Sequence, residues 1–251
     1  MENSLVLNLP NLREIVKQSP LLDFEMFPPF EGFPKEGIRF LRQLKKNNNR
    51  AWFNEHKSEY EDFVKLPMQS LVAALQPHVA NFAPEIDVHP KRSLFRIYRD
   101  TRFSKDKTPY KTHVAAVFHL RGHWQNSGGY YVHIELGAVY VGGGIYMPDS
   151  DQLRKIRRAI VDPKAKFRSI VESKMFKKQF GGIEGEKLQR VPQGFEADHP
   201  MAGWLKHKQF YTGVEWNEKE CYSVNFVSKV VNVYKDLHPL IRFLNEALNK
   251  Q

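Results

Sequence analysis

The first third of the chain has apolar residues at the spacing of helices. Between residues 35 and 79 they recur every three or four positions, which is the period of one helix face. The asparagine run 47–49 interrupts this pattern, and Pro67 breaks or kinks it. The spacing therefore predicts one helix from residue 35, one from about residue 50 to 65, and a continuation after Pro67.

The middle of the chain changes to a period of two, which indicates strands with one buried face. Gly137 and Ala138 separate two such segments, so a hairpin and antiparallel pairing are expected there. The predicted strands are 94–98, 114–120, 130–136, 139–146 and, later in the chain, 209–216.

Helical patterns return after the strands. Asp149 and Ser150 are candidate N-caps of a basic helix, Asp162-Pro163 begins another, and a final amphipathic helix or helix pair covers residues 224–248, interrupted near Pro239. Helices on both sides of a run of strands are typical of an α+β fold. We expect a mostly antiparallel central sheet of about five strands flanked by helices. Residues 30–251 form one domain in this interpretation, and residues 1–29 form an N-terminal extension.

Composition narrows the class of protein. The chain has 251 residues, 41% of them hydrophobic, which is typical of a folded domain and not of a disordered one. Its single cysteine, Cys221, excludes an internal disulfide and favours a reducing compartment. Residues 122–148 have one formal charge but seven glycines, so they predict strands and not a membrane span. A cytoplasmic protein without a membrane partner is expected.

The net charge of +10 is unevenly distributed. Residues 91–121 contain nine Lys or Arg against two Asp, and residues 154–178 contain ten against two acids. These segments therefore have net charges of +7 and +8, and the rest of the chain is net negative. A localised basic field indicates an anionic ligand more strongly than a uniformly basic surface does.

The densest cations lie in residues 96–111, where three arginines and three lysines accompany two aspartates and two tyrosines. Two carboxylates cannot neutralise six positive charges, so this run predicts an anion site. Arginine binds phosphate with two parallel hydrogen bonds, and lysine adds a mobile point charge. Arg50, which follows three asparagines at a helix start, is expected at the rim. The candidate ligand-binding residues are Arg96, Tyr98, Arg99, Arg102, Lys105, Lys107, Tyr110, Lys111 and Arg50.

Two residues are candidates for acid–base chemistry. His133 and Glu135 lie two positions apart on one predicted strand, so they share a face, and His113 begins a neighbouring strand. A histidine beside a carboxylate can act as a general base with an orienting partner. The same groups could bind a metal, but no second spacing signature supports that, so no metal site and no cofactor is assigned.

Several motifs together resemble a known family. They are Phe95–His113, Asn47–Phe53, Gly143–Asp149, Gly181–Gly185, Arg190–Phe195 and Asp198–Pro200. This set is similar to the domain-of-unknown-function 2461 family over about residues 28–248. The resemblance implies a single intracellular domain. It implies no activity and transfers no catalytic residue.

Three functions remain open from the sequence. The first is a pocket for a phosphorylated small molecule or nucleotide, in a hydrolase or transferase if Glu135 or His133 transfers a proton. The second is a nucleic-acid-binding module without catalysis, which would also use the basic segment 154–178. The third is a structural protein in which the basic run forms an internal ion-pair network; Arg99→Ala or Arg102→Ala would then unfold it.

Overall fold

The structure is a computed structural model that describes residues 27–123, 127–162 and 166–249. The predicted N-terminal extension lies outside these residues except for its last three positions. The described residues confirm the α+β class, with an antiparallel sheet of four strands and helices around it.

Residues 35–82 are helical, as the apolar spacing predicts. Helix α1 is Lys35–Lys46, α2 is Arg50–Glu55, α3 is Lys57–Tyr60, a π-helical turn is Glu61–Lys65, and α4 is Leu66–Phe82. Asn49 is the N-cap of α2, because its side chain accepts a hydrogen bond from the Trp52 amide at 3.0 Å. The predicted single helix 50–65 is thus divided at His56. Pro67 lies in the first turn of α4, directly after the π-helical turn.

The sheet is an antiparallel meander in the order β1-β2-β3-β4. Its strands are β1, His113–Phe118; β2, Gly129–Glu135; β3, Ala138–Ile145; and β4, Phe210–Asn217. The predicted β2–β3 hairpin is confirmed, with Glu135 opposite Ala138. The predicted strand at 94–98 is not a member of the sheet. Leu94 forms an isolated bridge to Ala116 and the Phe95 amide donates to the Ala115 carbonyl at 2.9 Å. From Ile97 onward the segment pairs instead with residues 109–111 of its own hairpin.

The remaining helices follow β3 and β4. Helix α5 is Ser150–Val161, α6 is Phe167–Val171, α7 is Lys174–Phe180, α8 is Ala202–Leu205, a 3-10 turn is Glu218–Tyr222, and α9 is Phe226–Asn249. The predicted N-cap Asp149 forms a capping box with Gln152. The prediction of an interruption near Pro239 was wrong, since α9 is continuous with Pro239 inside it. No described helix is both long and apolar enough to cross a membrane.

The two faces of the sheet have different environments. Alternate residues such as Tyr130, Val132 and Ile134 of β2 are fully buried, and α4 and α9 pack on that side. Each such side chain contributes about 1.5–3 kcal/mol by leaving water. The other face, which we call the outer face, presents Tyr131, His133 and Glu135, all only partly buried. The period-two pattern thus decides which residues of β2 are available for function.

The triple glycine 142–144 in β3 has a packing role. Gly144 has φ +132°, and a Cβ there would lie 2.1 Å from the carbonyl oxygen of Phe210 in β4. A Cβ on Gly142 would lie 2.7 Å from the Tyr140 ring, which lies across the outer face. The glycines therefore permit close approach of strand and ring.

Candidate functional site

The basic run forms a hairpin in which most cationic side chains are exposed; we call residues 95–111 the hairpin arm. Tyr98 and Tyr110 form an isolated antiparallel bridge. The Arg99 amide donates to the Pro109 carbonyl at 2.9 Å, and the Lys111 amide donates to the Ile97 carbonyl at 2.8 Å. Residues 99–109 are therefore the loop of the arm.

Aromatic packing anchors the arm to the helices. Tyr110 is 3% exposed and stacks on Phe53 of α2, with the ring centroids 4.1 Å apart. Burial raises the pKa of the Tyr110 hydroxyl, and the positive charge of nearby Arg50 opposes that shift. Arg50 therefore lies near Tyr110. The Tyr110 ring is buried against the helices, whereas the Tyr98 ring of the same arm is 58% exposed.

Two arginines of the loop are bound to the loop's own acids. Arg102 Nη2 lies 2.7 Å from Asp100 Oδ2, and Arg99 forms an ion pair with Asp106. The hydrogen bond from the Arg102 side chain lowers the pKa of Asp100 to about 2. A backbone hydrogen bond from Thr108, followed by the bond from Arg99, lowers the pKa of Asp106 to about 2. Arg99 and Arg102 therefore shape the loop.

The lysines of the arm differ in their contacts. Lys107 Nζ donates to the Thr101 carbonyl at 2.9 Å. Lys105 is exposed and forms no ion pair with a described residue. Lys111 Nζ donates to the Arg96 carbonyl at 2.9 Å and lies 5.0 Å from the centre of the Phe95 ring. Burial, then the charge of Arg96, lowers the pKa of Lys111, so these two cations are neighbours at the base of the arm.

A cavity of about 230 Å³ opens beside the base of the arm; we call it the basic groove. Four cationic side chains and one carboxylate, Glu61, are among the residues that line it. Lys65 Nζ lies 2.6 Å from Glu61 Oε2. Arg96 forms no ion pair with any described residue. The lining residues that matter for charge and stacking are Lys57, Lys65, Lys91, Arg96, Tyr60, Phe95 and Tyr98.

The basic groove includes residues that sequence reasoning missed. Lys57, Glu61 and Lys65 are four residues apart, a spacing that places them on one side of a helix and could have been recognised. Nothing in the sequence indicates that this helix side faces Arg96, because the two segments are about 30 positions apart along the chain.

A larger cavity, of about 670 Å³, lies along α9 and lacks the character of an anion site. Among the described residues, three acids and two bases line it, so acids outnumber bases there: Asp162, Asp236, Glu246, Lys166 and Arg242. Arg242 Nη2 also lies 2.9 Å from Glu246 Oε1. None of the predicted site residues lines it.

His133 and Glu135 come together on the outer face as the strand period predicts. His133 Nε2 lies 3.8 Å from Glu135 Oε1, and His133 Nδ1 lies 3.2 Å from the Tyr131 hydroxyl. The His113 ring from β1 is 5.5 Å from the His133 ring, centroid to centroid. Burial lowers the pKa of both histidines. Neutral imidazoles that can accept a proton are therefore present near pH 7.

This outer-face cluster adjoins the base of the arm. The Phe95 ring, which lines the basic groove, lies 6.2 Å from the Tyr131 ring. The positive charge of Lys111 also contributes to the lowered pKa of His113, after the larger effect of burial. Burial raises the pKa of Tyr131 to about 12, so its hydroxyl stays protonated. Most of the predicted site residues thus separate into the groove, the outer face and the loop of the arm, while Tyr110 and Lys111 lie at the base of the arm with Arg50 near Tyr110. Among the described residues, no group of three or more His, Cys, Asp or Glu is arranged to hold a metal.

The outer face also contains groups that the sequence did not single out. Tyr140 stacks on His133, with centroids 5.7 Å apart. Glu184 accepts from the Gly213 amide at 3.1 Å and lies 3.5 Å from the Tyr140 hydroxyl. Burial raises the pKa of Tyr140 well above its usual value, and Glu184 adds to that shift. The alternation in β3 could have placed Tyr140 on this face, but only tertiary structure brings in Glu184.

The second basic segment is largely engaged in the fold. The Arg157 side chain is buried and donates to the carbonyls of Leu205 and His207 at 2.8 and 3.0 Å. Arg154 forms an ion pair with Asp151, and Arg168 Nε lies 2.9 Å from Glu172 Oε2. The described part of this segment therefore offers fewer free cations than its sequence suggests.

Comparisons with known proteins agree with the sequence resemblance. A family model described as a conserved hypothetical protein (DUF2461) matches residues 36–243, which is most of the chain. A search of curated proteins and a search of solved structures each found no match.

Proposed function

The chain belongs to the DUF2461 family, and we propose that it binds a small phosphate-bearing ligand in the basic groove. The charge balance of the groove is the observation that supports this: Lys57 and Arg96 line it without an ion pair to any described residue, and Glu61, the one carboxylate among its described lining residues, is already paired with Lys65. Cations gathered in one cavity repel each other, and an anion between them removes that repulsion.

Arg96 is the expected primary contact. Its guanidinium offers a planar pair of donors for phosphate oxygens, and no described carboxylate competes for it. Tyr98 beside it supplies a hydroxyl and an exposed ring. At about 230 Å³ the cavity is smaller than the roughly 300–1,000 Å³ of sites for drug-sized molecules. The size favours one phosphate group with a small organic part.

Thermal shift tests the binding directly. Inorganic phosphate and small phosphate esters should raise the melting temperature, because a ligand that binds only the folded state stabilises it by mass action. Arg96→Ala should abolish the shift. Arg92→Ala is the matched control, since Arg92 is an exposed arginine paired with Asp87 outside the groove. Equal shifts in both variants would overturn the proposal.

The proposal extends to chemistry on the bound ligand, as a hydrolase or transferase. His133 is the expected general base and Glu135 its orienting partner, since the histidine is neutral and adjoins the groove through Tyr131 and Phe95. A screen of phosphate-ester hydrolysis and transfer should reveal activity that His133→Asn abolishes while the phosphate-induced thermal shift remains. Activity unchanged in His133→Asn would remove this residue from the mechanism.

A further inference from the structure

The hairpin arm exposes aromatic rings to an unusual degree. Among the described residues, four aromatic side chains of Phe, Tyr or Trp rank as exposed, and three of them lie between positions 95 and 103. Phe95 is 39% exposed, Tyr98 58% and Phe103 95%; the fourth is Tyr146. Folded proteins rarely leave apolar groups clustered in water without a partner that covers them.

Exposed cations accompany these rings. Arg96, Arg102, Lys105 and Lys107 are all exposed on the same arm. The arm's two acids, Asp100 and Asp106, are already bound to its arginines. The arm therefore has an excess of positive charge, with planar apolar rings placed among the cations.

We propose that the hairpin arm binds single-stranded nucleic acid, with bases stacked on Phe103 and Tyr98 and phosphates bound by the arm's cations. The inference rests on the proposed function only for the end of the binding path, where the basic groove with Arg96 is taken to bind one phosphate of the strand. Base–aromatic stacking together with backbone neutralisation is the general mode by which proteins bind unpaired strands.

The chemistry of the arm favours this partner over two others. A duplex hides the faces of its bases, so it could not cover Phe103 and Tyr98. An anionic membrane surface is usually bound through an apolar helix face or a compact apolar patch, whereas the exposed rings of the arm alternate along the chain with exposed cations such as Arg96 and Arg102. Unpaired bases match both the shape of the rings and the charge around them.

The arm is also held in place before any ligand binds. The ion pair of Arg99 with Asp106 joins the two sides of its loop, and Tyr110 stacks on Phe53 at its base. A preorganised surface loses less conformational entropy on binding than a flexible one. Phe103 is therefore presented on a constrained loop.

Fluorescence anisotropy with a labelled 15-nucleotide oligouridylate tests the inference on the full chain. Phe103→Ala should weaken binding by about fivefold or more, since one base–aromatic stack is worth about 1–3 kcal/mol. Phe103→Trp should retain binding, because it preserves a stacking face. Tyr146→Ala, which removes the exposed ring outside the arm, is the matched control and should have no effect.

Salt dependence tests the phosphate contacts separately. For single strands the logarithm of the binding constant falls with the logarithm of salt concentration by about 0.7 per neutralised phosphate. Lys105→Ala and Lys107→Ala should each reduce that slope by about this amount. An unchanged slope in both variants would count against the arm as the binding surface.

Three outcomes would overturn the inference. The first is that a duplex of the same length binds as tightly as the single strand. The second is that Phe103→Ala leaves the affinity for the oligonucleotide unchanged. The third is that the protein binds phosphatidylserine vesicles but not the oligonucleotide. The phosphate-induced thermal shift tests the groove separately. If phosphate stabilises the protein through Arg96 while Phe103→Ala leaves oligonucleotide binding intact, the groove stands and the arm fails. If Phe103→Ala weakens oligonucleotide binding while phosphate gives no shift, the arm stands and the groove fails.

Discussion

The side chain of Asn48 pairs with the backbone of Tyr110 in both directions. Asn48 Nδ2 donates to the Tyr110 carbonyl at 2.9 Å, and the Tyr110 amide donates to Asn48 Oδ1 at 3.1 Å. These positions are 62 residues apart in the chain, so the asparagine run before α2 clamps the hairpin arm to the helices. The stacking of Tyr110 on Phe53 reinforces the same junction.

Asn48→Ala should therefore destabilise the protein by about 2 kcal/mol, since two hydrogen bonds of about 1 kcal/mol each are lost at a part-buried site. Urea denaturation measures the change. Asn54→Ala, at an exposed position of α2, is the control and should alter stability by less than about 0.5 kcal/mol. Equal effects of the two substitutions would show that the clamp contributes nothing.

Gly144→Ala should destabilise the fold by about 3 kcal/mol or more. The new Cβ would meet the Phe210 carbonyl oxygen at 2.1 Å, in a backbone conformation with positive φ that disfavours side chains. Gly203→Ala in α8 is the matched control, because a Cβ there meets no atom within 4 Å. It should be neutral or stabilising by up to about 1 kcal/mol. Thermal unfolding of both variants compares their stabilities, and a Gly144→Ala protein as stable as the unsubstituted chain would contradict the prediction.

Arg157→Ala should cost about 3 kcal/mol, because the buried guanidinium donates to two carbonyls that would lose their partners. Arg158→Ala, the exposed neighbour, should change stability by less than about 0.5 kcal/mol. Chemical denaturation of the two variants compares them directly. If Arg158→Ala destabilised the protein more than Arg157→Ala, Arg157 would not be a structural residue. The cations of the basic segment would then be less engaged in the fold than their contacts indicate.

His207 should make stability depend on pH. It is 2% exposed, and burial, with Lys187 nearby, lowers its pKa to about 4. The unfolded chain has a histidine pKa near 6.5 and binds the proton first. The contribution of His207 to the free energy of unfolding is therefore complete above about pH 6.5. It is lost as the pH falls toward 4, which lowers the free energy of unfolding by about 3 kcal/mol.

Denaturation at pH 7 and pH 4.5 measures this dependence. His207→Gln should reduce the difference between the two pH values, whereas His78→Gln, at an exposed position, should leave it unchanged. An equal difference in all three proteins would exclude His207 as a source of the pH dependence.

The local features of the site could be predicted because they follow from backbone geometry. The period of two in β2 placed His133 and Glu135 on one face, and the structure brings their side chains within 3.8 Å. The Asp149 cap followed from residue type alone and forms as expected. The segment 94–98 was mistaken for a strand of the sheet because its alternation is that of a strand, while only tertiary packing decides whether a neighbour pairs with it.

The fate of the charges could not be predicted in the same way. From the sequence, six cations against two aspartates indicated one anion cradle. In the structure Arg99 and Arg102 use those aspartates to shape the loop, while Arg96 faces the separate basic groove. Which cation takes which partner depends on side-chain directions in a loop, and these have no fixed period.

The sequence by itself determined the α+β class, the faces of the strands, the concentration of positive charge in residues 96–111 and the family. Each of these depends on composition, motif or local spacing, and the geometry of helices and strands makes local spacing repeat. Tertiary structure alone decided that Lys57 and Lys65 meet Arg96 in one cavity, and that Asn48 clamps Tyr110. Those contacts join segments far apart in the chain, and they exist only because the helices pack around the sheet and bring the two segments to one place.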